Sequence, residues 1–254
     1  YNPFHNGHKL QIDYARNTLN ADYIVVALSP DYTQRGEVAL LSKYDRAEIA
    51  LKMGVDLVIQ IPVNAATDSS MGYAFGGVKL LDALGIVDTL LFSAEDNNMG
   101  LLSDISDIEL SEDIAYKEAL NLSLRQGLSF PLAREKAIAD RLPDTYSNTI
   151  HELLSGSNNI LAIEYIKALK LLKSSIKPLC MKRIGPSYND NHIGPSYNDN
   201  HISPSYNDTC INGNIASATA IRNAIFNGQV DAVKDVVPKS TFPIYKELIN
   251  NKKY

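Results

Sequence analysis

The residues best suited to chemistry open the chain: His5 and His8 stand three apart, with Gly7 between them. Residues at helical spacing follow at once (Leu10, Tyr14, Ala15, Leu19), so His5 is expected in a turn and His8 in the first turn of a helix. Free backbone N–H groups and the positive end of the helix dipole meet there, which suits an anion and above all a phosphate. Imidazole donors can follow charge as it develops on phosphate oxygens, stabilising a transition state without a covalent intermediate. Pro3 stiffens the entry, Gly7 lets a ligand approach the backbone, and Tyr1, Asn2, Phe4 and Asn6 complete the loop. Two histidines so spaced also fit an exposed helix start, or half of a metal site. A second constellation, Ser217-Ala218-Thr219-Ala220-Ile221-Arg222, brings hydroxyls, a helix N-terminus and a guanidinium together. Its physics again suits phosphate, although alone it reads as an ordinary N-cap with a surface arginine.

The elements that must position these groups alternate. A helix over 7–19 leads to a strand over 22–28 and a polar loop over 29–41. Ser42 caps a helix over 43–53 that stops at Gly54, and a strand over 57–61 closes at Pro62. A helix over 69–84 is expected to bury Met71, Ala74, Phe75, Val78 and Leu81, and a strand over 89–92 follows. This order predicts an α/β fold with a Rossmann-like parallel sheet. Residues 97–113 read as an acidic loop opening a helical section over about 97–174, with helices at 112–126, 131–140 and 158–173. A strand over 176–184 returns to the sheet. Ser217 then caps a helix over 218–226, a helical stretch covers 230–236, and residues from 237 read as the start of a separate, cut-off region after a 1–236 domain.

Residues 184–208 hold two exact nine-residue repeats and a partial third, each carrying Pro-Ser-Tyr-Asn-Asp. So short a unit rich in Pro, Asn and Asp reads as a duplicated loop. Its His192 and His201 lack carboxylate or cysteine companions at ligand-like helical spacing, so no metal site is expected. The 254 residues carry a net charge of −5, which gives no global signature for nucleic acid. Cys180 and Cys210 are the two cysteines, in keeping with a reducing cytoplasm. No apolar run approaches the roughly 18 residues of a membrane span, and no secretory leader is expected.

Tyr1–His8 resembles the H-x-G-H signature of the nucleotidyltransferase superfamily. Further segments, in order, resemble its tRNA(Met) cytidine acetate ligases: Gln34-Arg35-Gly36-Glu37, Gly54-Val55-Asp56-Leu57-Val58, Ala66-Thr67, Ser157-Asn158-Asn159-Ile160-Leu161, Lys182-Arg183 and Ser217–Arg222. The resemblance implies ATP, with Mg²⁺, as the nucleotide. It implies activation of acetate as acetyl-adenylate and acetylation of N4 of the wobble cytidine of elongator tRNA(Met), in the cytoplasm and away from any membrane. His5 and His8 would be catalytic, with ATP held by Tyr1–His8, Ser217, Thr219 and Arg222. The resemblance adds Arg183 at the nucleotide, Asn159 on its adenosine side, and Ser93 where the family pattern has glycine. It also implies a strand before Tyr1 and more chain at the C-terminal end, so the chain is expected to be truncated at both ends and to bind tRNA weakly. A small-molecule adenylyltransferase, or a non-catalytic nucleotide- or RNA-binding remnant, are the alternatives.

Overall fold

The computed structural model describes residues 1–111, 113–146, 149–183 and 215–250. The nine-residue repeats, with His192 and His201, lie outside them. The chain forms two compact units: residues 1–67 with 184–254, and residues 68–183.

The first unit begins with α1 (Asn6–Asp13), whose last turn widens into a π turn at Tyr14–Thr18. Arg16 on that turn donates to the carbonyls of Ala21, Asp22 and Gly54 and pairs with Asp56. Asp56 in turn accepts from the Ile24 amide at 2.7 Å. That backbone bond, with Arg16 opposing the effect of partial burial, holds the Asp56 carboxyl below its usual range. Strand β1 (Val25–Leu28) therefore starts three residues later than expected, because Arg16 and Asp56 claim backbone groups ahead of it. After α2 (Lys43–Lys52), Gly54 adopts φ +105°, open to glycine at little cost. Strand β2 (Leu57–Gln60) pairs parallel with β1 in the register Val25↔Leu57 to Leu28↔Gln60. The end of the expected polar loop is apolar and buried: Ala39, Leu40 and Leu41 enter the core beside Phe4, Ile49 and Val55. A short helix, α3 (Val63–Ala66), ends this part of the unit.

The second unit opens with α4 (Ser70–Asp82), capped by Ser69. It buries Ala74, Gly77, Val78 and Leu81, whereas Met71, expected inside, is exposed. Strand β3 (Thr89–Ala94) follows. The expected acidic loop at 97–113 is instead a helix, α5 (Met99–Ser111). Leu101, Leu102 and Ile105 fall on one face and are buried, while Asp104 and Asp107 point outward. Helices α6 (Ile114–Arg125), α7 (Phe130–Ala139), α8 (Ile150–Ser155) and α9 (Ser157–Leu172) complete the helical part. Strand β4 (Lys177–Lys182) returns parallel to β3, from Thr89↔Lys177 to Ala94↔Lys182. Glu109 of α5 is buried and joins Arg134 of α7 and Lys167 of α9, the latter also reaching Glu164 at 3.0 Å.

The C-terminal part of the first unit consists of α10 (Ala218–Phe226), a 3-10 turn at Val230–Val233, and α11 (Phe242–Asn250). Ile221, Ile225, Val236 and Tyr245 pack into the same core as Phe4 and Ile49.

Candidate active site

His5 is the N-cap of α1, in an extended conformation. Its Nδ1 accepts from the Gly7 amide at 3.1 Å, while His8 Nδ1 accepts from the His5 amide at 3.2 Å. The two rings lie 3.8 Å apart at 31°. A neutral imidazole that accepts at Nδ1 carries its proton on Nε2, so both rings present an Nε2–H donor. The helix-start amides, expected free for an anion, already have protein acceptors. Asn6 donates to the Val236 carbonyl at 3.1 Å, Gly7 to the His5 ring, and His8 to the His5 carbonyl at 2.9 Å. These three peptide groups are therefore committed to the fold of the loop itself. The ring of His5 packs closely on Gly7: a Cβ there would stand 3.0 Å from its Cε1, so the ring would have to give by a few tenths of an ångström.

The loop is framed from distant parts of the chain. Asn2 Oδ1 accepts from the Leu40 amide at 2.7 Å, and the Asn2 carbonyl accepts from Arg222 Nη1 at 2.8 Å. The Asn2–Pro3 peptide is cis. Phe4 is buried against Tyr1, whose ring also meets His8 edge-on at 4.6 Å. The Phe4 carbonyl accepts from Tyr245 Oη at 2.7 Å, and Asn6 Nδ2 donates to the Asp235 carbonyl at 3.0 Å. Arg46, fully buried, donates to the carbonyls of Leu41 and Ser29 at 3.0 Å and of Tyr1 at 3.5 Å. Sequence reading missed Arg46 and Tyr245. The available signal was an arginine on the face of α2 that also carries Ile49 and Ala50.

On α10, Ser217 Oγ caps its own helix, accepting from the Ala220 amide at 3.1 Å. Thr219 Oγ1 accepts from Arg222 Nη2 at 3.2 Å, and the Glu37 carboxylate stands 3.7 Å from the same guanidinium. The two sequence constellations thus meet through Arg222, which holds the histidine loop by a carbonyl.

In the second unit, Ser93 pairs with Met181 inside the sheet, and the Arg183 amide donates to the Ala94 carbonyl at 2.8 Å, at the carboxyl ends of β3 and β4. Asn159 is buried, its Nδ2 donating to the Leu153 carbonyl and its Oδ1 accepting from the Asp96 amide, both at 2.9 Å. Its side chain braces the turn after β3. Glu95 caps α9 by accepting from the amides of Asn158 and Asn159 at 3.3 and 2.9 Å. A Cβ at Gly156 would fall 2.7 Å from Asn159 Nδ2 and 2.9 Å from Glu95 Oε2, so this turn closes around glycine. Among the described residues no group of three or more His, Cys, Asp or Glu could hold a metal ion, and no helix is long and apolar enough to cross a membrane.

An α/β chain with parallel strands and a paired-imidazole loop capping a helix has the features of a nucleotidyltransferase of the HIGH type. Residues 1–199 match the family model described as HIGH Nucleotidyl Transferase, and the chain belongs to that family. It is similar to the tRNA(Met) cytidine acetate ligase of Caldanaerobacter subterraneus, 42% identical over 96% of this chain and 56% of that protein. The protein of the same name from Kosmotoga olearia is 39% identical over 97% of this chain and 54% of its own length. Among solved structures, apo Thermotoga maritima TmcAL matches with a TM-score of 0.86 and 35% identity, over 100% of this chain and 56% of that one. TmcAL bound with alpha-thio ATP matches at 0.83 and 34%, over 100% and 55%. The chain spans about half the length of the curated relatives it matches.

Proposed function

We propose that this chain is the nucleotide-activating part of a tRNA(Met) cytidine acetate ligase. A carboxylate oxygen of acetate attacks the α-phosphorus of ATP, the bond to the bridging oxygen of the β-phosphate breaks, and pyrophosphate leaves with that electron pair. The acetyl-adenylate then acylates N4 of the wobble cytidine of elongator tRNA(Met). The amine loses a proton and AMP departs. The observation that carries the reading is the pair of imidazoles fixed to the loop backbone through Nδ1, which leaves Nε2 of each neutral ring to carry the proton with which the reading meets building phosphate charge. The names of the relatives and the alpha-thio ATP bound to the TmcAL neighbour support it. In the first unit the proposed nucleotide contacts are Tyr1–His8, Ser217, Thr219 and Arg222, with Ser217 and Arg222 acting through the frame they build. In the second unit, taken by itself, they are Ser93, Asn159 and Arg183.

Magnesium would accompany the triphosphate. The test is ATP–pyrophosphate exchange. Exchange that needs acetate supports the reading. Exchange driven by a phosphopantetheine-like or nicotinamide-mononucleotide-like acceptor would replace it with an adenylyltransferase, and ATP binding without any exchange would leave a binding remnant.

A further inference from the structure

We infer that Tyr245 is a positioning residue for His8, acting through the peptide bond between Phe4 and His5. That peptide is held at both of its polar ends. Its carbonyl, on Phe4, accepts from Tyr245 Oη at 2.7 Å. Its N–H, on His5, donates to His8 Nδ1 at 3.2 Å. The hydroxyl therefore fixes the plane of the very peptide that sets the orientation and tautomer of the His8 ring. A hydrogen bond received at the carbonyl also polarises the peptide, which strengthens the N–H as a donor to Nδ1. With Nδ1 so engaged, the proton of neutral His8 stays on Nε2.

The surroundings fit a relay rather than a chance contact. Tyr245 is fully buried on α11, and so is the Phe4 side chain beside the carbonyl it reaches. Burial raises the Tyr245 hydroxyl above its ordinary range, so it stays protonated and remains a donor. The same stretch of chain also grips the loop one residue beyond His5, through the carbonyls of Asp235 and Val236 on Asn6. The helix that carries Tyr245 lies outside residues 1–199, the part that matches the family model. A segment beyond the span of the family model thus holds the backbone of the histidine loop.

The inference rests on reading the loop as the ATP site, and two readouts separate the two. Tyr245→Phe keeps the ring in the core and removes only the hydroxyl. In the 254-residue chain we expect kcat for acetate-dependent pyrophosphate exchange to fall by about tenfold to a hundredfold, with the KM for ATP within about twofold, because a small misplacement of a catalytic group acts on the reaction step. Long-range ¹H–¹⁵N correlation of the imidazoles, at a pH where they are neutral, is expected to show His8 as the Nε2–H tautomer in the parent and as a mixture in Tyr245→Phe. Ile249→Val, a core change on the same helix, should lower stability and move neither readout. If the parent chain shows no exchange, the functional reading fails while the tautomer measurement still decides the relay. An unchanged His8 tautomer in Tyr245→Phe overturns the inference, as does an effect on KM alone or one matched by Ile249→Val.

Discussion

His5 and His8 form the capping box of α1 and, in the proposed function, also serve as donors, so a blunt substitution at His5 would confuse structure with chemistry. His5→Asn separates them, because asparagine is itself a good N-cap while it removes the Nε2–H. We expect His5→Asn to stay within about 0.5 kcal/mol of the parent in stability and to lose about 10²–10³ in adenylate formation. His8→Ala should lose a similar factor, and near-normal exchange in either variant would remove the imidazoles from the mechanism. Arg46 is the structural counterpart. Arg46→Met fills much of the volume but strips the carbonyls of Leu41, Ser29 and Tyr1 of a charged donor. Each buried acceptor left unmet costs about 1–3 kcal/mol, so urea unfolding should show a loss of about 3 kcal/mol or more; a loss below about 1 kcal/mol would mean water replaces the guanidinium. At this scale the histidines were legible as types at a spacing. The occupation of the helix-start amides was not, because it depends on ring rotamers and on a carbonyl 230 residues away, that of Val236.

Elements with strong local punctuation were readable: Ser42, Ser69 and Ser217 each cap the helix expected after them. Helix α5 was not, because Asp104, Asp107 and Glu109 disguised the apolar spacing of Leu101, Leu102 and Ile105 as a polar loop. Glu109 is acidic for a packing reason, since it ties α5 to Arg134 and Lys167. Burial works to raise its carboxyl, yet the hydrogen bond and charge of Arg134, with Lys167, outweigh this and hold it below its ordinary value. A carboxyl depressed in the folded state stabilises the fold above its unfolded pKa of about 4.3 and loses that contribution as pH falls through the lower folded value. Glu109→Gln should therefore be less stable than the parent at neutral pH by about 3 kcal/mol. In denaturant titrations the gap should narrow as the pH drops below about 4. A gap that stays constant down to strong acid would show that the pair contributes shape rather than charge.

For the whole molecule, the histidine loop is held by residues 222, 235, 236 and 245 of the same unit. Such long-range partners leave no local periodicity to read. Tertiary pairing also gives a physical reason to expect weak RNA binding. The densest basic run, Lys167 to Lys182 with Arg183, looks in sequence like a patch on a helix face. In the structure Lys167 is bonded to Glu109 and Glu164, and Lys170 lies 2.8 Å from Asp107. Arg134 and Arg141 are likewise paired, with Glu109 and Asp113. Residues 184–214 add no lysine or arginine, and the net charge is −5. Phosphate contacts supply most non-specific affinity and need cations that can release counterions, which lysines already bonded to carboxylates do poorly. The 254-residue chain should therefore bind tRNA(Met) more weakly than about 10 µM at near-physiological salt, even where it forms acetyl-adenylate. A titration at several salt concentrations decides it. Submicromolar binding with a steep salt slope would mean that these ion pairs open to phosphate. In that case Lys167→Gln and Lys170→Gln together should flatten the slope by about two contacts.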